Sequence, residues 1–181
     1  GIPLEVPILS EVLKPLGYIC GLFGKAHDGS DEEMMPFNRW DEFFGFNNGA
    51  SNYLSGLNRG YNPIFHNKKI VSLSYSSQGV QHGKVIQRGV VLRDDNQYLT
   101  NQLGDRAVSF IEQNHDQPFL CYVPFNAVHG PFQATKELFD QYDTEPNHQR
   151  RLVKAMIESL DQNVGKVLRA LKKYDLEEGT M

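Results

Sequence analysis

The sequence predicts an α/β fold, a largely parallel sheet with flanking helices, and three observations carry that expectation. Near the N-terminus an apolar-periodic helix, a short buried strand and a polar loop follow one another. The same three-part order returns after residue 99, and a long amphipathic helix covers residues 148–173. With 181 residues, 40% of them hydrophobic and 22% charged, the chain is the size of one domain or a large piece of one. The net charge is −4, from 18 basic and 22 acidic residues, and no basic run stands out. That argues against nucleic acid as the partner. No apolar stretch approaches the roughly 20 residues of a membrane-spanning helix, which excludes that role.

Ile8, Val12, Leu13 and Leu16 recur at helical spacing, with Ser10 and Glu11 in the first turn. Pro15 weakens the last turn, and Gly17 is placed to end it. The apolar run Tyr18-Ile19-Cys20-Gly21-Leu22-Phe23 reads as a buried strand that delivers the loop Gly24-Lys25-Ala26-His27-Asp28-Gly29. Residues 40–98 read as an irregular insert, in which Trp40, Phe43, Phe44 and Phe46 plug an edge of the core. A hairpin is expected there, with Ile64-Phe65 and Ile70-Val71 joined by His66-Asn67-Lys68-Lys69. Val85-Ile86 and Val90-Val91-Leu92 are weaker strand candidates.

Leu103, Ala107, Phe110 and Ile111 then mark one face of a helix that Thr100 is placed to cap. The run from Phe119 to Phe125 lacks polar alternation and suits a strand covered on both faces. It delivers a second polar loop, Asn126-Ala127-Val128-His129-Gly130-Pro131. A short helix over residues 136–142 precedes the final one, whose stripe is Leu152, Met156, Leu160, Val164, Val167, Leu168 and Leu171, with Gly179 ending the pattern. Two strong strands are few for a sheet, so the chain is expected to be part of a larger fold.

Open α/β sheets bind ligands outside the carboxyl ends of their strands. Both strong strands deliver chemistry there: Lys25 and His27 from the first, His129 from the second. Lysine is a compact permanent cation, and histidine exchanges a proton near neutral pH. Together they suit a tetrahedral anion and the protonation of a leaving oxygen. The three are therefore expected at one edge of the sheet. Asn47, Asn48 and Ser51, just past the aromatic cluster, are candidates to line a substrate pocket. Cys20 and Cys121 lie in apolar strings and read as small buried hydrophobes. Asp94-Asp95 and Asp31-Glu32-Glu33 read as solvated acids, and His66, His82, His115 and His148 as surface residues in polar turns.

Five ordered segments resemble the sulfatase family. The stretch from Leu4 to Tyr18 looks like the one that precedes the family's Gly-Lys-Trp-His motif, and Gly24-Lys25-Ala26-His27 stands in the motif's place. Trp40-Asp41-Glu42-Phe43-Phe44-Gly45-Phe46 resembles its G-F-D-E-F-F-G stretch. Pro118-Phe119 through Asn126-Ala127-Val128-His129-Gly130-Pro131 resembles its strand and N-A-P-H-x-P loop. Ala155-Met156-Ile157-Glu158-Ser159-Leu160-Asp161 with Val164-Gly165 resembles its A-M-V-E-x-L-D…V-G helix. The match runs over nearly the whole chain and is weakest over residues 55–97.

The resemblance implies a partial alkaline-phosphatase-like sandwich, with residues 1–181 as part of a catalytic domain that hydrolyses sulfate esters. The family uses a formylglycine made within a C/S-x-P/A-x-R motif and a divalent cation, usually calcium. By resemblance, Lys25 contacts sulfate and formylglycine, and His27 helps the formylglycine diol expel sulfate. His129 binds sulfate and protonates the leaving alcohol. The substrate would be a sulfate-ester small molecule or a sulfated glycan. Periplasmic or secreted locations are common in the family, and this sequence does not decide between locations.

Ala26 stands where the family usually has an aromatic, and Asp28 where leucine is common, so a looser or more polar loop is expected. No C/S-x-P/A-x-R motif occurs anywhere in the chain. The family's paired Asp ligands fall before Gly1, and its Asp-Asn pair on a strand that would begin at Thr180. The chain is accordingly expected to bind no calcium or other metal, to be inactive alone, and to oligomerise through exposed sheet edges. The alternatives are a phosphodiester or phosphonate-ester hydrolase of the same superfamily, and a non-catalytic binding module.

Overall fold

The computed structural model describes residues 1–29, 32–47, 49, 51, 53, 63–71, 90–92 and 98–181. The strand candidate Val85-Ile86, the Asp94-Asp95 pair, His82 and the pocket candidate Asn48 lie outside the described residues. Strand β1 (Ile19–Lys25) lies between two parallel neighbours, β2 (Glu42–Phe46) and β6 (Phe119–Tyr122). The short strands β3 (Phe65–His66) and β4 (Lys69–Ile70) extend it antiparallel, giving the order β4-β3-β2-β1-β6. β5 (Val90–Leu92) pairs in parallel with β7 (Gln133–Thr135) as a separate two-stranded ribbon.

The expected hairpin forms, with its turn tightened to Asn67-Lys68 and Asn67 in the left-handed region at φ 51°. The aromatic cluster is not an edge plug. Phe43, Phe44 and Phe46 belong to β2, the middle strand of the five, so part of the 40–98 insert belongs to the sheet. Phe44 and Phe46 face one side and pack with Phe23 and Phe110, while Phe43 faces the other beside Cys20 and Leu22. With aromatics on both faces there is no polar alternation to mark a strand. His66 is half-buried in β3, against the edge of the Phe44 ring, rather than a surface turn residue.

Helix α1 (Leu9–Leu13) and the one-turn helix α2 (Pro36–Arg39) cover one face of the sheet. Helix α3 (Leu99–Asn114) covers the other, burying the Leu103, Ala107, Phe110 and Ile111 stripe. Its N-cap is Tyr98; Thr100 lies inside the first turn and does not cap it. Helix α4 (Lys136–Asp140) and helix α5 (His148–Lys173) follow, the latter over the expected range.

The buried face of α5 is rotated from the expected stripe. Val164 and Leu168 are 40% and 57% exposed, whereas Ser159 and Asn163 are buried. Both reach Asn101 of α3, at 3.1 and 2.8 Å, and Asn163 fills the space that a Cβ on Gly104 would need. A polar seam between α3 and α5 thus replaces the apolar one that spacing implies.

α1 is tied down by one ion pair. The Arg39 guanidinium, 2% exposed, donates to both Glu11 carboxylate oxygens at 2.8 and 2.7 Å, and Glu11 also accepts from the Ile8 N–H. The hydrogen bond from Arg39 holds the Glu11 carboxyl below its ordinary range, although burial acts the other way. A lowered folded-state value means the stabilisation is complete above about pH 4.5 and is lost as pH falls through the folded value. Glu11→Gln should cost about 2–3 kcal/mol at pH 7, less than for a fully buried pair because the Glu11 side chain is 36% exposed and solvent screens it. Chemical denaturation at pH 7 and pH 3 should show that difference shrinking at the lower pH; a pH-independent gap would contradict the assignment.

Candidate active site

Lys25 ends β1 at the sheet's carboxyl edge, where three backbones converge. Its N–H donates to the Pro124 carbonyl at 2.9 Å, and the next N–H, of Ala26, to the Phe46 carbonyl at 3.0 Å. Two glycines make this approach possible. A Cβ on Gly24 (φ 150°) would lie 2.1 Å from the Pro124 oxygen, and one on Gly45 (φ 156°) 1.9 Å from the Gly24 oxygen. Only hydrogen fits at either position.

The following loop is fastened rather than loose. His27 is left-handed at φ 76°, a strained conformation for a residue with a Cβ. The Asn47 side chain fixes it: Oδ1 accepts from the His27 and Asp28 N–H groups, each at 2.9 Å, while Nδ2 donates to the Gly29 carbonyl. Asn47 therefore holds the loop and is not among the residues lining the cavity. The exposed His27 ring comes within 3.6 Å of the place a Cβ on Gly49 would take, beside a residue that does line it. Burial pushes the Asp28 carboxyl up, while the charges of Arg39 and His27 pull it down.

His129 follows β6, so it reaches the same carboxyl edge as Lys25 because β1 and β6 run parallel. Tyr53 holds it there. The buried Tyr53 hydroxyl accepts the His129 N–H at 2.9 Å and directs its proton to the Asn126 carbonyl at 2.7 Å, with the His129 carbonyl at 3.0 Å. Burial pushes its pKa up to about 12, so it remains a donor. Tyr98 stacks on Tyr53 at 5.5 Å and donates to the Gln133 carbonyl, while the Gln133 side chain accepts the Tyr53 N–H. Tyr53→Phe should cost about 1–2 kcal/mol and speed amide exchange at His129 in hydrogen-exchange spectra, with little change on β1. Unchanged exchange there would remove Tyr53 from this role.

Lys25, Ser51, Asn126 and His129 line one cavity of about 230 Å³, with Phe46 and Phe125 among its apolar walls. The His129 Nδ1 lies 2.7 Å from the Gly130 carbonyl. A carbonyl only accepts, so Nδ1 carries the hydrogen and Nε2 is left for proton exchange with a ligand. Both cysteines are free, and burial raises the Cys20 thiol and pushes Cys121 up to about 12, which disfavours the thiolate. With no C/S-x-P/A-x-R motif in the sequence, neither fits a formylglycine precursor. Among the described residues no group of three or more His, Cys, Asp or Glu is placed to hold a metal. No helix among them is long and apolar enough to cross a membrane.

Fold and cavity define an α/β domain whose parallel strand ends bring Lys25 and His129 onto one cavity. The chain belongs to the sulfatase family, whose model matches residues 1–181, in agreement with the five ordered motifs. It is similar to arylsulfatase J of Mus musculus, 32% identical over 178 residues covering 96% of this chain and 27% of that protein. It is also similar to N-acetylgalactosamine-6-sulfatase of Canis lupus familiaris, 26% identical over 99% of this chain and 32% of that protein. The crystal structure of Ps i-CgsB superposes with a TM-score of 0.78 at 28% identity, covering 97% of this chain and 38% of that one. A complex of that protein with k-i-k-neocarrahexaose gives the same figures. The chain spans about a third of the length of the curated relatives it matches.

Proposed function

We propose that this chain forms the sulfate-holding part of a sulfatase active site and that the whole protein hydrolyses sulfate esters of a glycan. The observation that carries the reading is the placement of Lys25 and His129 on one cavity, at the carboxyl ends of adjacent parallel strands. Lys25 neutralises the sulfate oxygens as a fixed cation. His129 delivers a proton through Nε2 to the leaving alcohol, its ring oriented by the Gly130 carbonyl and its backbone by Tyr53. His27, held by Asn47, is a second proton-exchanging group at the rim, and Ser51 is a polar contact on the cavity wall.

The family's formylglycine and divalent cation, which supply the nucleophile and further charge neutralisation, come in this reading from segments other than those of this chain. The glycan substrate rests on two relatives, one named for N-acetylgalactosamine-6-sulfate chemistry and one held with a neocarrahexaose. The test is a titration of the chain with inorganic sulfate followed by NMR. Saturable shifts centred on Lys25, His27 and the 126–130 loop are expected, and shifts scattered over surface lysines would contradict the proposal.

A further inference from the structure

Asn126 is the first residue of the His129 loop that lies in the cavity wall, and its side chain is anomalous. The residue is 7% exposed, and both its Oδ1 and Nδ2 are buried without a hydrogen-bond partner among the described residues. Its backbone carbonyl is fully engaged, by the Tyr53 hydroxyl at 2.7 Å and the His129 N–H at 3.1 Å, so the loop does not depend on the amide for its shape. A buried carboxamide with neither atom satisfied destabilises the free protein, and a leucine of nearly the same shape would avoid that cost. Asn126 nonetheless sits between the groups that line the cavity, Phe125 on one side in sequence and His129 on the other.

We infer that Asn126 is a specificity residue, whose carboxamide hydrogen-bonds a ring hydroxyl of the sugar that carries the sulfate. The division of labour follows from chemistry. Lys25 is the fixed cation of the cavity and His129 its proton-exchanging group, and both suit the charged oxyanion. A carboxamide is neutral and offers a donor and an acceptor together, which matches a hydroxyl that accepts and donates in turn. The aromatic walls Phe46 and Phe125 suit the apolar face of the same ring. A site that leaves a polar group unpaired when empty discriminates strongly in favour of the ligand that pairs it. The inference rests on the proposed sulfate site and adds the recognition of the leaving sugar to it.

The experiment uses the 181-residue chain, two probes and three variants. Affinities for inorganic sulfate and for N-acetylgalactosamine 6-sulfate are measured by NMR titration of wild type, Asn126→Leu, Asn126→Ala and Lys25→Ala. Both Asn126 variants should bind the sugar sulfate about 5–30-fold more weakly and inorganic sulfate within about twofold of wild type. Asn126→Leu should also raise the thermal midpoint by about 2–6 °C, because it removes the orphaned amide. Equal losses for both probes, or no loss for the sugar sulfate, would overturn the inference. A lowered midpoint for Asn126→Leu would overturn it too, since the amide would then have a partner in the free protein. If Lys25→Ala leaves inorganic sulfate binding intact, the sulfate site itself is misplaced, a failure distinguishable from that of Asn126.

Discussion

Gly45→Ala is expected to destabilise the fold by about 3–5 kcal/mol, a large share of a typical domain's stability. The alanine Cβ would stand 1.9 Å from the Gly24 carbonyl oxygen, a backbone atom of β1, held between two parallel neighbours, that cannot swing away. Gly24→Ala meets the Pro124 oxygen at 2.1 Å and should behave alike. Gly130→Ala is the control, because a Cβ there has nothing within 4 Å, and should change stability by less than about 0.5 kcal/mol. Urea denaturation of the three variants checks this; equal midpoints for Gly45→Ala and wild type would refute the backbone convergence that seats Lys25.

Lys25→Ala is expected to weaken inorganic sulfate binding by about 10–100-fold, the range for losing a charge-assisted hydrogen bond. In a sulfatase containing this chain, it should lower kcat by about 10²–10³, as for removal of one group that stabilises developing charge. Folding should be unaffected, since Lys25 is half-buried and its structural work is done by its backbone N–H on Pro124. Sulfate titration together with a denaturation curve of the same variant separates the two effects. Wild-type affinity in the variant would remove Lys25 from the site.

Much of this was legible in the sequence where local pattern decides structure. β1 and β6 are continuous apolar runs, α5 has a long uniform period, and the strand-end rule alone brings Lys25 and His129 to one edge. Legibility fails where distant residues decide. β2 is hidden because its aromatics serve both faces of the sheet, and the α5 face is set by Asn101 and Gly104, about 60 positions away.

The site divides in the same way. Ser51 lines the cavity as its position suggests, but Asn47 is occupied with the backbone of residues 27–29. Tyr53 carries no local signature, and the loop motif that contains Asn126 does not announce what its side chain does. Tyr53 acquires its role from carbonyls 73 and 76 residues away, and Asn126 from an amide with no partner among the described residues.

The central claim is that Lys25 and His129 hold one tetrahedral oxyanion in the strand-end cavity. Crystals of the chain soaked in selenate, which has the shape and charge of sulfate and a strong anomalous signal, test it most directly. The account predicts an anomalous peak in the cavity with its oxygens at hydrogen-bond distance, about 2.7–3.2 Å, from the Lys25 Nζ and the His129 Nε2. Peaks confined to surface lysines, with the cavity empty at saturating selenate, would contradict it.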